Sequence, residues 1–356
     1  MRSIILILAV GLLTIGCGSD DGGTDTGGTT PQNMVDGGGT PADSGSAPAP
    51  LDSGINEADG SDPGGGSGPS PVDPDEGEPQ PYAPPAALTA EFSDPDPGPA
   101  AGCNGTSVSV IRGWIVDRIG RPISGAKAQL CVVSDGGTTQ CLPPEDSGED
   151  GVFNLSIAQG DQCLTKAAFR VIKPGSGRAP MYCNAPLDMA ADSTRIIMET
   201  PYVLYAGLPP ADLPELGDEM MSRRITFQNG VQLDLTPFDL VSPYEELGMR
   251  TVGVDERGLC FLEGQTPPAR LYAFTPDSTI YGEATVRFPN ETELAPNSKV
   301  DISILGGLGC ERNGEHVAEG AWESVGTGTV SEDGMHIESD EGTVLTCLTW
   351  VGYTPL

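Results

Sequence analysis

Apolar residues gather into a long run only once in this chain, at residues 4–15. The run follows Met1-Arg2-Ser3 and leads into Gly16-Cys17, which is the plan of a secretory signal over residues 1–16. About a dozen residues fall short of the ~20 a helix needs to cross a bilayer, so the run reads as a processed signal. The next apolar pattern starts at Val108 and is short and irregular. Val108, Val110, Ile111, Ile115, Ile123, Ala128 and Leu130 are broken by the turn sequences Asp117-Arg118-Ile119-Gly120 and Ser124-Gly125. After Asp150-Gly151, the side chains of Phe153, Leu155 and Ile157 alternate onto one face. Short strands at this spacing predict an antiparallel sandwich over residues 101–205.

Strand-like stretches resume at 224–228, 231–235, 259–262, 270–274, 280–288, 299–305, 325–330 and 344–351. Asn229-Gly230 and Asp333-Gly334 are the strongest hairpin turns among them. A short helix is expected around 215–222, and no amphipathic helix exceeds two turns. The second domain, 206–356, is therefore read as another β-sandwich. The fold class expected is mainly β: two disulfide-linked antiparallel β-sandwich domains after a disordered stalk.

The stalk comes from composition. Residues 18–100 hold sixteen Asp or Glu and no Lys or Arg, with Gly, Pro, Ser and Thr making up most of the rest. Such a segment buries too little apolar surface to offset its ordering entropy, so residues 17–100 are expected to be a disordered tether. Beyond residue 100 lie 35 of the 51 acidic residues and 17 of the 18 basic ones, a balance of −18. That charge repels nucleic acid and anionic lipid, which need Lys and Arg to replace their counterions. Asp94-Pro95-Asp96 lacks the spaced oxygens of a calcium loop and reads as solvated charge.

Setting Cys17 aside leaves eight cysteines, an even number suited to disulfides in an exported protein. Five lie at Cys103, Cys131, Cys141, Cys163 and Cys183, and three at Cys260, Cys310 and Cys347. Both counts are odd, so full pairing needs a bridge between the halves. The pairing expected is Cys131–Cys141 across a hairpin, Cys163–Cys183, Cys310–Cys347, and Cys103–Cys260 as the cross-link. No Cys-x-x-Cys pair favours zinc.

Two family resemblances bear on these readings. Thr14-Ile15-Gly16-Cys17 resembles the lipobox of bacterial lipoproteins, whose usual residue at the position of Thr14 is Leu. The resemblance implies cleavage before Cys17 and acylation there, palmitate included, with each buried methylene contributing ~0.8 kcal/mol to anchoring. Gly18, rather than Asp, after the cysteine implies the outer membrane of a bacterial envelope. Ile111, Gly113, Ile115, Asp117, Gly120, Pro122, Ile123, Gly125, Ala126 and Ala128, then Asp150-Gly151 and Phe153, resemble the carboxypeptidase regulatory-like family. That family is a transthyretin-like β-sandwich whose members are mostly accessory modules, and some related sandwiches bind sugars.

Candidate chemistry is sparse. His316-Val317-Ala318-Glu319 matches the His-x-x-Glu pair of zinc carboxypeptidases, with His336 as the one later histidine. No Gly-x-Ser-x-Gly elbow, phosphate loop or Cys–His pair accompanies it. Trp322, Trp350 and Tyr353 offer flat rings for a sugar platform, against the simpler reading that they fill the core. The leading expectation is a non-enzymatic lipoprotein without catalytic residues, metal or cofactor. It would be held to the membrane through Cys17 and bind an envelope polysaccharide or a protein partner. The alternatives are a metal-dependent hydrolase or accessory metalloprotein using His316, Glu319 and His336, and a purely structural spacer.

Overall fold

The computed structural model describes residues 72–134, 139–190 and 193–356. The expected signal, Cys17 and the expected tether up to residue 71 lie outside the described residues. Among the described residues, no helix is long and apolar enough to cross a membrane. The chain is mainly β, as the alternating pattern predicts.

The first half opens with β1 (Thr106–Ser107), β2 (Val110–Asp117) and β3 (Lys127–Ser134). It continues through β4 (Thr139–Cys141), β5 (Glu145–Asp146), β6 (Val152–Ser156) and β7 (Cys163–Ile172). It ends with β8 (Met181–Asn184), β9 (Arg195–Ile197) and β10 (Tyr202–Leu204). One sheet runs β1-β7-β3-β4, with β5 beside β3 and β8 beside β7. The other runs β10-β2-β6, with β9 also on β2. The pairings are antiparallel except that β2 takes β9 and then β10 in parallel along one edge. The chain reaches that edge by crossing back from the other sheet, which a tight hairpin does not allow. Ile111, Ile115, Leu130, Leu155, Phe169 and Val171 fill the space between the sheets. Gly113 is required there, because a Cβ on it would stand 2.5 Å from the ring of Phe153.

The second half contains β11 (Arg223–Thr226), β12 (Gln232–Leu235), β13 (Gly248–Val252) and the long β14 (Arg270–Pro289). Then come β15 (Lys299–Leu305), β16 (Glu311–Arg312), β17 (Glu315–His316), β18 (Trp322–Val330), β19 (His336–Ser339) and β20 (Leu345–Pro355). Asn229-Gly230 turns β11 into β12, and Asp333-Gly334 turns β18 into β19. The two stretches expected at 270–274 and 280–288 form the single strand β14. Its start pairs with β13 and β20, and its end with β12 and β19. Because β14 and β20 also pair, the eight-stranded sheet closes on itself and its facing layers belong to one sheet. Residues 259–262, expected as a strand, instead turn through a short 3-10 helix (Cys260–Leu262). Residues 215–222 form bends and turns, not a helix.

Strand alternation welds the halves together. On β14, Tyr272 and Phe274 point into the closed sheet, while Leu271 and Ala273 point out of it into the core of the first half. On β20, Val351 and Tyr353 face inward and Trp350 faces outward to the same shared core. There the Trp350 Nε1–H donates to the Pro180 carbonyl at 2.6 Å.

The eight cysteines form Cys103–Cys163, Cys131–Cys141, Cys183–Cys260 and Cys310–Cys347. The hairpin pair and Cys310–Cys347 match expectation, and the other two are exchanged. Register is the reason. In the β7–β8 hairpin, Cys183 sits opposite Phe169, six residues along from Cys163. At about 3.3 Å per residue that is ~20 Å, far beyond disulfide reach. Cys163 lies instead at the β1 end of β7, opposite Ser107 and within reach of Cys103. Cys183 takes the role of cross-link, to Cys260.

The expected stalk boundary at residue 100 also needs correction, since residues 72–100 are packed on the body. Both oxygens of the fully buried Asp75 are used, one accepting from Arg178 Nη1 at 2.9 Å and the other from the Ala206 amide at 2.8 Å. Asp73 pairs with Arg250, whose Nε donates to the Ala206 carbonyl at 2.5 Å. Leu88 is buried, and Arg112 donates to the carbonyls of Ala87, Leu88 and Ala90. Phe92 lies under the guanidinium groups of Arg112 and Arg195. Composition alone gives this strap no signal, because Asp carboxylates and backbone carbonyls hold it, rather than an apolar stripe.

Candidate functional site

The aromatic platform does not form. Trp350 and Tyr353 are fully buried on opposite sides of β20, and Trp322 is half-buried against Phe261, ring centres 5.7 Å apart. The metal set does not form either. His336 stands on β19 opposite Pro289, whereas His316 and Glu319 belong to β17 and the loop after it. Among the described residues, one group brings three candidate ligand atoms within 4.8 Å of one another, Cys131, Cys141 and Glu319. Its two sulfurs are joined in a disulfide and offer no thiolate.

Glu319 belongs to a different assembly, built where the two halves meet. Arg170 on β7 and Tyr182 on β8 face Asp277, which sits at an irregularity in β14. The Tyr182 hydroxyl donates to Asp277 Oδ2, and Arg170 Nη2 approaches the same oxygen at 3.6 Å. Burial raises the Asp277 carboxyl above its ordinary value, and the Tyr182 hydrogen bond and Arg170 only partly offset this. Burial likewise raises Glu319, against the pull of Arg170 and His316. Arg170 Nε, Asp277 Oδ1 and Glu319 Oε2 are buried without a partner. Beside this node opens a cleft of about 470 Å³, lined by Arg170, Lys173, Arg178, Glu246 and Asp277 among others. Most of its charge is answered from within: Arg178 by Asp75, and Arg170 by Asp277.

A larger cleft, about 740 Å³, opens at the same seam around the Cys183–Cys260 bridge. Three segments make it: the chain leaving β8, residues 198–202 between β9 and β10, and the loop 254–263 after β13. The loop is fixed from below, with Leu259, Phe261 and Leu262 buried in the shared core and Cys260 bonded to Cys183. Gly258 lets it lie flat on β10: its φ is +84°, and a Cβ there would stand 2.3 Å from Val203 Cγ2. Trp114 Nε1 donates to the Glu199 carbonyl at 3.3 Å and holds the second segment.

Met189, Met198, Leu259 and Leu262 give the cleft apolar surface. Its charged lining residues are Glu199, Asp255, Glu256 and Glu263, and it contains no Lys or Arg. Glu256 is paired with Arg118 at 2.9 Å. Glu199, Asp255 and Glu263 have no ion-pair partner among the described residues, and all three are exposed at the rim. The one basic residue of the loop, Arg257, turns away to lie over the Tyr82 ring at 3.5 Å and donate to the Gln80 carbonyl. Tyr202 borders the cleft with 3% of its surface exposed, and its hydroxyl has no partner. Burial raises that hydroxyl well above its ordinary value, and Glu263 is the charged neighbour that adds to the rise. The sequence marked none of these positions except Cys183 and Cys260, because single carboxylates carry no signal in so acidic a chain.

No family model matches this sequence, and no curated protein matches it. Among solved structures, the chain is weakly similar to BcpA, the major pilin subunit of Bacillus cereus. The identity there is 11% and the TM-score 0.19, over 70% of this chain and 95% of the pilin. It is also weakly similar to fervidolysin from Fervidobacterium pennivorans, a keratinolytic enzyme related to subtilisin, with 11% identity and a TM-score of 0.17. That match covers 70% of this chain and 34% of the enzyme.

Proposed function

We propose that this chain is a lipid-anchored, non-enzymatic binding module of a bacterial envelope, tethered through Cys17, with the cleft at the Cys183–Cys260 seam as its binding place. The observation that carries the reading is the cleft itself. It is concave, apolar in the floor, polar at the rim and built on a cross-linked junction, which are the features of ligand sites on rigid scaffolds. The lipobox-like Thr14-Ile15-Gly16-Cys17 and the acidic tether support the anchored location. The resemblance to carboxypeptidase regulatory-like modules, which are mostly accessory domains, supports binding over catalysis. A sugar surface built on Trp322, Trp350 and Tyr353 drops out of the reading, since two of those rings are in the core.

The experiment combines two measurements on the full chain. Metabolic labelling with palmitate should mark the wild type, and Cys17→Ser should abolish the label and release the protein from membranes. Co-sedimentation with envelope polysaccharide, peptidoglycan and membrane-protein fractions should show saturable retention by the folded chain and none after heat and reductant. A Cys17→Ser chain that stays acylated and membrane-bound would remove the anchor. Equal retention of folded and unfolded chain by every fraction would remove the binding module.

A further inference from the structure

We propose that the cleft at the Cys183–Cys260 seam takes a small organic cation: an ammonium or guanidinium group carried on an apolar stem. The proposal rests on the reading of the body as a binding module and names the chemical class of what it binds. Four observations converge on it. The lining offers the unpaired carboxylates of Glu199, Asp255 and Glu263 and no cation of its own; nearby Arg118 is paired with the lining's fourth carboxylate, Glu256, and Arg257 lies over Tyr82. A ligand entering here is therefore selected for positive charge. The carboxylates ring the opening and do not converge, since among the described residues no three of their oxygens approach within 4.8 Å as a metal ion would require. Spread charge fits an organic cation rather than a metal ion.

Leu259 and Leu262, both buried, with half-buried Met198 and exposed Met189, supply an adaptable apolar surface for a stem, the thioethers filling gaps as the ligand varies. Tyr202, itself 97% withdrawn from solvent, adds a buried hydroxyl that lacks a partner, with Glu263 as its charged neighbour. A buried hydroxyl left unpaired is unfavourable, and an N–H donor from the ligand would satisfy it. The volume, about 740 Å³, lies inside the roughly 300–1,000 Å³ typical of small-ligand sites.

The test titrates the full chain in detergent with spermidine in one arm and an Nα-acetyl-lysine amide in the other, by calorimetry at low ionic strength. Saturable one-to-one binding in either arm is the expected result. Tighter binding of spermidine identifies a free polyamine as the source, and tighter binding of the lysine amide identifies a basic side chain of a partner. Glu199→Gln and Glu263→Gln should each weaken binding about tenfold, as loss of a charge-assisted contact does. Tyr202→Phe, checked for an unchanged circular-dichroism spectrum, should weaken it roughly three- to tenfold. Two exposed carboxylates far from the cleft in sequence, changed as Glu283→Gln and Glu341→Gln, control for bulk charge and should leave affinity unchanged.

Three results would overturn the proposal: no saturable binding in either arm, equal weakening by the control pair, or displacement of the amine by an equal concentration of calcium. Envelope co-sedimentation is read on the same variants. If retention persists while no amine binds, the cation assignment alone fails. If retention is also absent, the binding-module reading fails with it.

Discussion

Pro180 lines one seam cleft and Cys183 the other, yet the two clefts treat charge in opposite ways. Around the smaller, most of the acids and bases are matched inside the protein: Asp75 with Arg178, Asp277 with Arg170 and Tyr182, and Asp73 with Arg250 next to them. Around the larger, Glu199, Asp255 and Glu263 stand unanswered on the rim, where Arg118 meets only Glu256 and Arg257 turns away to Tyr82. Charge spent inside the protein joins its parts, whereas charge left over is available to something outside. The two clefts should therefore separate under mutation, with large stability effects at the first and small ones at the second.

The largest effect is expected at Asp75. It is fully buried and satisfies both the Arg178 guanidinium and the Ala206 amide, so Asp75→Ala strands a buried cation and an amide together. Removing one partner of a buried pair typically costs about 3–5 kcal/mol, which urea denaturation will read as a lower midpoint. The same variant should expose residues 76–100 to limited proteolysis, because the strap loses its best-satisfied anchor. A midpoint within error of the wild type would mean that the strap is a passenger and that its ion pairs do not join the halves.

Next comes the bridge that both clefts depend on for rigidity. Replacing Cys183 and Cys260 together by Ala opens a loop with a separation of 77 residues. The chain-entropy model gives about 4.5 kcal/mol for a loop of that size, and measured losses typically run at about 2–4 kcal/mol. Cation binding in the larger cleft should weaken in parallel, while the Tyr182–Asp277 contact near the smaller one should persist. If binding survives intact, the loop 254–263 is held without the bridge, by buried Leu259, Phe261 and Leu262 and by the polar contacts of Glu256 and Arg257.

How much of this the sequence foretold depends on what kind of force holds each part. Period-two alternation made Phe153, Leu155 and Ile157 legible as a strand, and Asn229-Gly230 and Asp333-Gly334 as turns, because burial and φ preference act locally. Cys131–Cys141 was legible because a hairpin fixes its register; Cys183–Cys260 was not, because it joins segments brought together by packing alone. Trp350 fills a core, as the simpler reading of it has it, but the core of the first half and not that of its own sheet. A second core on the outer face of β20 is invisible from its own eleven residues. The strap and the cation cleft were hidden for one reason, that a carboxylate paired with a distant Arg and one left free look the same in an acidic chain.

A smaller effect separates the paired acids from one another by pH. Asp277 is raised by burial, so the folded protein holds its proton above 3.8, where the unfolded chain has lost it. Stability from this group therefore falls as pH rises through the window between 3.8 and the raised value. Asp73 runs the other way. Burial alone would raise it, but the hydrogen bonds from Arg250 and the Asp75 amide outweigh that and leave it lowered. Its contribution is present above 3.8 and is lost as pH falls through the lowered value. Asp277→Asn keeps an acceptor for Tyr182 and should flatten the fall in stability on the alkaline side of 3.8. Asp73→Asn should weaken the protein at neutral pH and make little difference in acid. Denaturation midpoints from pH 3 to 8 check both, and parallel curves for wild type and Asp277→Asn would show that Asp277 holds its proton no more tightly in the folded than in the unfolded chain.

The smallest effect is expected in the larger cleft, and it is the sharpest test of the contrast. Glu199→Gln, Asp255→Asn and Glu263→Gln, made together, remove three exposed like charges that answer no cation within the protein. Exposed substitutions away from structural contacts usually shift stability by less than about 0.5 kcal/mol. Relief of repulsion in a body of net charge −18 acts in the stabilising direction. The triple variant should thus unfold at or slightly above the wild-type midpoint while losing its affinity for amines. A loss greater than about 1 kcal/mol would place it outside the range for exposed positions. The carboxylates would then be holding the cleft loops, as Asp75 holds the strap, and the distinction between spent and available charge would not apply to this seam.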